Sequence, residues 1–120
     1  MRTLFLASSF VLLTGCASWI PSMWDDNESL LVAKVRHSVD YLDCSGNYIP
    51  QARQVQSDIR FLELYSSSKG SDDLLSMVSK MKLTADGLVD STENKVFCTI
   101  KKKQLVKQSA VIADAAMERF

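Results

Sequence analysis

Apolar residues recur at helical spacing in four separate stretches of the chain. In the first stretch they follow one another at intervals of four, four and three residues, at Leu31, Val35, Val39 and Leu42. This spacing places the side chains on one face of an α-helix and leaves polar residues on the other faces. The cap-forming and acidic residues Asp25 to Glu28 predict that the helix begins near Asn27. Ser45-Gly46-Asn47 predicts that it ends around Cys44.

Two further stretches have the same periodicity. The second runs from about Pro50 to Tyr65, and its apolar face consists of Ala52, Val55, Ile59 and Leu62. Pro50 suits the first turn of that helix, where its missing N–H is not needed. The third follows the capping residues Ser71-Asp72-Asp73, and its apolar face consists of Leu74, Val78, Met81, Ala85 and Leu88. Each stretch therefore predicts an amphipathic helix that needs other elements to cover one face.

The fourth stretch contains two adjacent apolar lines and one conflicting signal. One line consists of Cys98, Leu105, Ile112 and Ala116, and the other of Val106, Ala113 and Met117. The segment from Val96 to Ile100 is rich in β-branched residues, which favour strands, but no second strand is evident to pair with it. The pattern therefore predicts a fourth helix. Four amphipathic helices with short joints predict an all-α fold, a small antiparallel four-helix bundle.

The first sixteen residues differ in character from the rest. Arg2 precedes an apolar run from Leu4 to Leu13, which is too short to cross a bilayer as a mature helix, and Thr14-Gly15-Cys16 follows it. A basic start, a short apolar segment and small residues before a cysteine are typical of a bacterial lipoprotein signal. The pattern predicts cleavage before Cys16 and lipidation of its thiol. The alternative is an ordinary secretory signal with an incidental cysteine.

This cleavage would divide the chain into a removed signal peptide at 1–15, a lipidated tether at 16–26 and a helical bundle domain at 27–120. Trp19 and Trp24 in the tether can either lie among lipid headgroups or fold back onto the domain. Ala17 stands where an inner-membrane retention signal would have aspartate. The predicted location is therefore the periplasmic face of the outer membrane, with the protein held there by its lipid.

Composition and charge narrow the class of partner. Hydrophobic residues make up 47% of the chain and charged residues 23%, which is the balance of a globular domain with a core. The formal net charge at pH 7 is zero. Nucleic-acid binding would need a strongly basic face, so we do not expect a nucleic-acid partner.

Lipidation of Cys16 would leave Cys44 and Cys98 as the remaining cysteines. The oxidising periplasm favours a disulfide between them. In an antiparallel bundle the first helix ends where the fourth begins, which would bring both thiols to the same end of the domain. A zinc site is the alternative, but the two cysteines have no CxxC spacing and only His37 as a nitrogen ligand.

The sequence contains no recognisable catalytic motif. A nucleophile elbow, an HExxH pair and a phosphate loop are all absent, and the single histidine, His37, is typical of a surface or boundary position. Asp72 and Asp73 are explained by the start of the third helix. Lys101-Lys102-Lys103 indicates either a solvated helix face or a contact with anionic lipid or an acidic segment. We expect no enzymatic activity, metal, small-molecule substrate or cofactor, apart from the lipid on Cys16.

Several short motifs occur in a defined order along the chain. A lipobox is followed by a first helix that closes on Cys44, and then by Ile49-Pro50, Lys69-Gly70, Gly87-Leu88 and Cys98. This order resembles the small all-helical pilotin lipoproteins of type II secretion, of the PulS/OutS type, over nearly the whole mature chain. The resemblance implies four helices, one disulfide and a chaperone role. Such a protein binds the C-terminal segment of a secretin and carries it to the outer membrane for assembly.

The resemblance also implies a binding site for the secretin segment. The segment would fold into a helix in a groove bounded by the first and third helices, lined by some of Leu31, Val35, Val39, Leu74, Val78 and Met81. The same apolar pattern is equally that of ordinary core. Other classes of protein also remain open, namely an envelope spacer, a phage-type lysis or exclusion lipoprotein, and an inhibitor of a cell-wall enzyme.

Overall fold

The structure is a computed structural model that describes residues 25–91 and 94–117. Its helices are α1 (Asp26–Asp40), α2 (Ile49–Lys69), α3 (Asp72–Asp90) and α4 (Lys95–Met117). The predicted all-α class, the four helices and the disulfide are confirmed. Cys16, the predicted signal peptide and both tryptophans of the predicted tether lie outside the described residues.

The helix ends follow local chemistry, with two differences from the predicted bounds. α1 begins after Asp25, whose carboxylate accepts hydrogen bonds from the first turn. It ends at Asp40, one turn before Cys44. α2 continues through the serines that follow Tyr65 as far as Lys69, because Gly70, at φ 79°, is the residue that adopts the left-handed conformation that ends it.

Each helix packs against two neighbours, so the bundle has a square cross-section. α1 contacts α2 and α4, and α3 contacts the same two helices. α1 and α3 therefore lie on a diagonal, with the core between them. The segment from Val96 to Ile100 is part of α4, which agrees with the predicted helix rather than with its β-branched composition.

The four apolar faces meet in one core. Its largest fully buried side chains include Leu42, Ile59, Leu62, Leu74, Met81, Leu88, Leu105 and Ile112. Tyr48, in the loop between α1 and α2, is also buried, and its hydroxyl accepts a hydrogen bond of 3.0 Å from the Asn94 N–H. This residue joins the first loop to the start of α4, a role that helical periodicity does not reveal.

Candidate functional site

The two ends of the bundle are held together by different chemistry. At one end, the start of α1 meets the last turn of α2 through a set of charged and hydroxyl side chains. At the other end, the region after α1 meets α4 through the disulfide and a lysine. The segment that contains Cys16 joins the domain at the first of these ends.

The Asp25 carboxylate is the centre of the first end. It accepts hydrogen bonds from the Tyr65 hydroxyl at 2.8 Å and from the Asn27 and Glu28 N–H groups at 2.8 and 3.2 Å. The Lys69 ammonium lies 3.5 Å away. The hydrogen bond from Tyr65 is the main cause that lowers the pKa of Asp25, and the same bond raises the pKa of the Tyr65 phenol. Asp25 thus caps α1 and ties it to α2.

Glu28 adds a buried carboxylate to this end. Its side chain is only 2% exposed, and it accepts a hydrogen bond of 3.1 Å from the Ser66 hydroxyl. Lys69 Nζ lies 3.6 Å from Glu28 and so bridges it to Asp25. A buried charge is tolerated when it is paired and hydrogen-bonded in this way. Asp25 and Glu28, at the start of α1, are therefore fixed to the body of the bundle.

The disulfide lies at the second end of the bundle. Cys44 and Cys98 are bonded, with their Cα atoms 5.6 Å apart, and this confirms the predicted pairing. Beside it, Lys102 of α4 donates hydrogen bonds to the carbonyl oxygens of Asp40, the last residue of α1, and of Leu42, just after it. The end of α1 is therefore held by both a covalent and an electrostatic contact.

The residues predicted to line a groove between α1 and α3 lie in the core instead. Val35, Val39, Leu74, Val78 and Met81 are at most 1% exposed, and Leu31 is partly buried against them. The physical reason is the diagonal placement of α1 and α3, whose apolar faces point at each other across the interior. These side chains are covered in this structure, and the binding of a partner segment to them stays a prediction.

Asp58 is a buried carboxylate that lies away from the two ends of the bundle. It lines a groove of about 340 Å³ between α1 and α2, and it accepts hydrogen bonds from the Ser38 hydroxyl and from the Gln54 amide at 3.0 Å. His37 also lines the groove, and its ring packs against the Tyr41 ring, with the centroids 4.5 Å apart and the ring planes tilted by 46°. The bond from Ser38 joins α1 to α2, whereas the bond from Gln54 lies within α2 and holds the Asp58 carboxylate in place.

Residues 25–91 and 94–117 contain no group of three or more His, Cys, Asp or Glu side chains placed to hold a metal ion. In the same ranges, none of the helices has the length and apolar character needed to span a membrane.

Large apolar side chains remain on the outer faces of the bundle. α1 exposes Leu30, α2 exposes Phe61 and Leu64, and α3 exposes Leu83. Tyr41, directly after α1, is exposed as well. α4 exposes several more, namely Val96, Ile100, Val106, Val111 and Met117. Exposed apolar side chains matter for binding where they are grouped, and α4 has the most extended series of them.

No protein-family model, curated protein or solved structure matches this chain.

Proposed function

We propose that this chain is a pilotin-like lipoprotein of the outer membrane. Its bundle binds the C-terminal segment of a secretin, and the lipid on Cys16 directs the complex to the outer membrane. The lipobox and the order of motifs from Cys44 to Cys98 support this proposal. The confirmed four-helix fold and disulfide are those that the resemblance implies.

The observation that carries the proposal is the way in which the start of α1 is fixed. Asp25 and Glu28 are held by Lys69 of α2 and by hydroxyl groups of the same helix turn. A pull on the tether would thus be transmitted to α2 as well as to α1. Nine residue steps separate Cys16 from Asp25, which limits the distance between lipid and bundle to about 30 Å. Such a domain is well suited to hold a partner close to a membrane.

The first test is recovery of the partner. The full chain is crosslinked in intact envelopes, purified and analysed for associated proteins. We expect a secretin, joined through its C-terminal segment. Recovery of envelope proteins without any secretin would reject the pilotin proposal and favour a spacer or a phage-type lipoprotein.

The second test separates the lipid from the fold. Cys16→Ser removes the lipid, and we expect the fold and partner binding to persist while the secretin fails to reach the outer membrane. Ala17→Asp is the matched control, because it keeps the lipid and introduces the retention signal, so that both proteins should remain in the inner membrane. Density-gradient fractionation measures both outcomes. Normal delivery of the secretin by Cys16→Ser would contradict the proposal.

A further inference from the structure

α4 differs from the other helices in its charge. It contains Lys95, Lys101, Lys102, Lys103 and Lys107, and Asp114 is its only acidic residue. The first turn of α4 has no acidic side chain and begins with a lysine, although a negative charge is favoured at the start of a helix. The stability of the helix therefore does not explain why so many lysines lie in its first half.

The lysines of α4 have different roles in the fold. Lys101 lies over the Phe97 ring, with Nζ 5.4 Å from the ring centroid. Lys102 donates to backbone carbonyls at the end of α1. Lys103 and Lys107 are exposed, and neither forms an ion pair or hydrogen bond with another described residue. Two ammonium groups on the outer face of α4 are thus free to meet an external charge.

These two lysines belong to a row that also contains exposed apolar side chains. The row is formed, at intervals of four, three, four and four residues, by Val96, Ile100, Lys103, Lys107 and Val111. Val96 is 68% exposed, Ile100 51% and Val111 55%. The interval pattern places all five side chains on one face of the helix, over a length of about 22 Å. We call these five residues the α4 outer row.

We infer that the α4 outer row binds an acidic amphipathic helix of a partner protein. A segment with two carboxylates near its middle and apolar residues towards both ends would complement the row in both charge and hydrophobicity. This inference rests on the proposed function, because it assigns a surface and a chemical character to the segment that the lipoprotein would carry.

A protein segment fits the position of the row better than a lipid surface does. Val96 and Ile100 flank Cys98, at the disulfide end of the bundle, whereas the tether joins the domain at Asp25 at the opposite end. A bundle tethered through Asp25 would hold this half of the row away from the membrane. A basic surface in that position is accessible to a protein in the surrounding compartment.

The test uses the full chain, purified in a nonionic detergent, and a fluorescent synthetic helix of leucine and glutamate with its glutamates at the centre. We expect Lys103→Glu/Lys107→Glu to weaken binding by about tenfold or more. The matched control is Lys34→Glu/Arg53→Glu, which reverses two exposed charges on α1 and α2 and should change binding less than about twofold. Fluorescence anisotropy measures both affinities.

A peptide of opposite charge tests the same contact in the other direction. A helix with lysine in place of glutamate should bind the Lys103→Glu/Lys107→Glu variant more tightly than it binds the original chain. Ile100→Ser should weaken binding of the acidic peptide as well, since it removes an apolar contact while leaving both lysines. Equal binding of the acidic peptide to the original chain and to the charge-reversed variant would overturn the inference, as would a lack of binding to either.

Lipid vesicles provide the remaining comparison. The Cys16→Ser form, which cannot be lipidated, is mixed with vesicles containing phosphatidylglycerol or only phosphatidylcholine. In one outcome the chain floats only with vesicles that contain phosphatidylglycerol, loses this flotation in Lys103→Glu/Lys107→Glu, and fails to bind the acidic peptide. That combined result would overturn the inference and identify a membrane surface as the ligand of the α4 outer row. A secretin that is still recovered by the Lys103→Glu/Lys107→Glu variant would reject the α4 outer row and leave the pilotin proposal intact.

Discussion

The side-chain nitrogen of Lys102 lies 2.6 Å from the carbonyl oxygen of Leu42, although 60 residues separate the two in the sequence. The same nitrogen is 3.3 Å from the carbonyl oxygen of Asp40. Carbonyl groups at the end of a helix have no partner within the helix, and a positive charge is favoured beside them. Lys102 of α4 therefore caps α1.

Removal of this ammonium group should destabilise the fold. Lys102→Met keeps the aliphatic stem and removes the charge, so we expect the free energy of unfolding to fall by about 1–2 kcal/mol. Lys103→Met, at the next position but exposed and without such a partner, should change it by less than about 0.5 kcal/mol. Urea unfolding followed by circular dichroism measures both. An equal loss in the two variants would contradict the capping role.

Substitutions can also show which residues belong to the core and which to the surface. Val35→Asp and Val78→Asp each place a carboxylate where the native side chain is at most 1% exposed. An unpaired buried charge costs several kcal/mol, which is comparable with the whole stability of a small domain. We expect both variants to lose helical circular dichroism and resistance to protease.

Leu83→Asp is the matched control for these two variants, because Leu83 lies on α3 and is 72% exposed. It should retain the native spectrum and protease resistance. If Val35→Asp or Val78→Asp folded as well as this control, the residue concerned would belong to an accessible groove, as the resemblance to the pilotins implies.

Periodicity was sufficient to predict the helices but not to separate core from groove. Val35 and Val78 recur at helical spacing whether their faces meet each other or a partner, and only the diagonal placement of α1 and α3 decides between the two. The β-branched segment at Val96 forms helix because it continues the long α4 stripe that contains Cys98 and Leu105. Tertiary packing in this case overrides local propensity.

Single long-range contacts gave no signal in the sequence. The sequence places Asp25 among the capping residues at the start of α1, but its bond to Tyr65 spans 40 residues, and nothing near either residue indicates that bond. Lys102 and Lys103 have the same chemistry and adjacent positions, but a rotation of 100° per residue turns one towards α1 and the other to solvent. Only the packing of the helices distinguishes them.

The bond between Asp25 and Tyr65 predicts a stability that depends on pH. The folded pKa of Asp25 is lowered, so its contribution is present above its ordinary value of 3.8 and is lost as the pH falls through the folded pKa. The folded pKa of Tyr65 is raised, so its contribution is present below its ordinary value of 10.0 and is lost as the pH rises through the folded pKa.

Tyr65→Phe should therefore be less stable than the original chain by a constant amount across the neutral range. The gap should narrow in strong acid, where Asp25 is protonated, and in strong base, where Tyr65 can no longer donate. Tyr41→Phe is the control, because Tyr41 is exposed and its hydroxyl has no hydrogen bond with a described residue. Urea unfolding at a series of pH values tests this, and a gap that stayed the same at all pH values would contradict it.

The disulfide between Cys44 and Cys98 should dominate the stability of the domain. The bond closes a loop with a sequence separation of 54, and the chain-entropy relation gives about 4 kcal/mol for a loop of this size. That is comparable with the net stability of a small domain. Cys44→Ser should therefore lower the melting temperature by on the order of 20 °C, and a reducing agent should have a similar effect on the original chain.

A double variant distinguishes the effect of losing the crosslink from the effect of changing the cysteine side chains. In Cys44→Ser/Cys98→Ser, a reducing agent should cause no further change, because the crosslink is already absent. Both single serine variants should melt close to the double variant, since either one opens the same loop. Calorimetry of the four proteins with and without reducing agent measures this. If the original chain kept its melting temperature on full reduction, the closed loop would contribute little, and the contacts of Lys102 and Tyr48 would be sufficient to hold that end of the bundle.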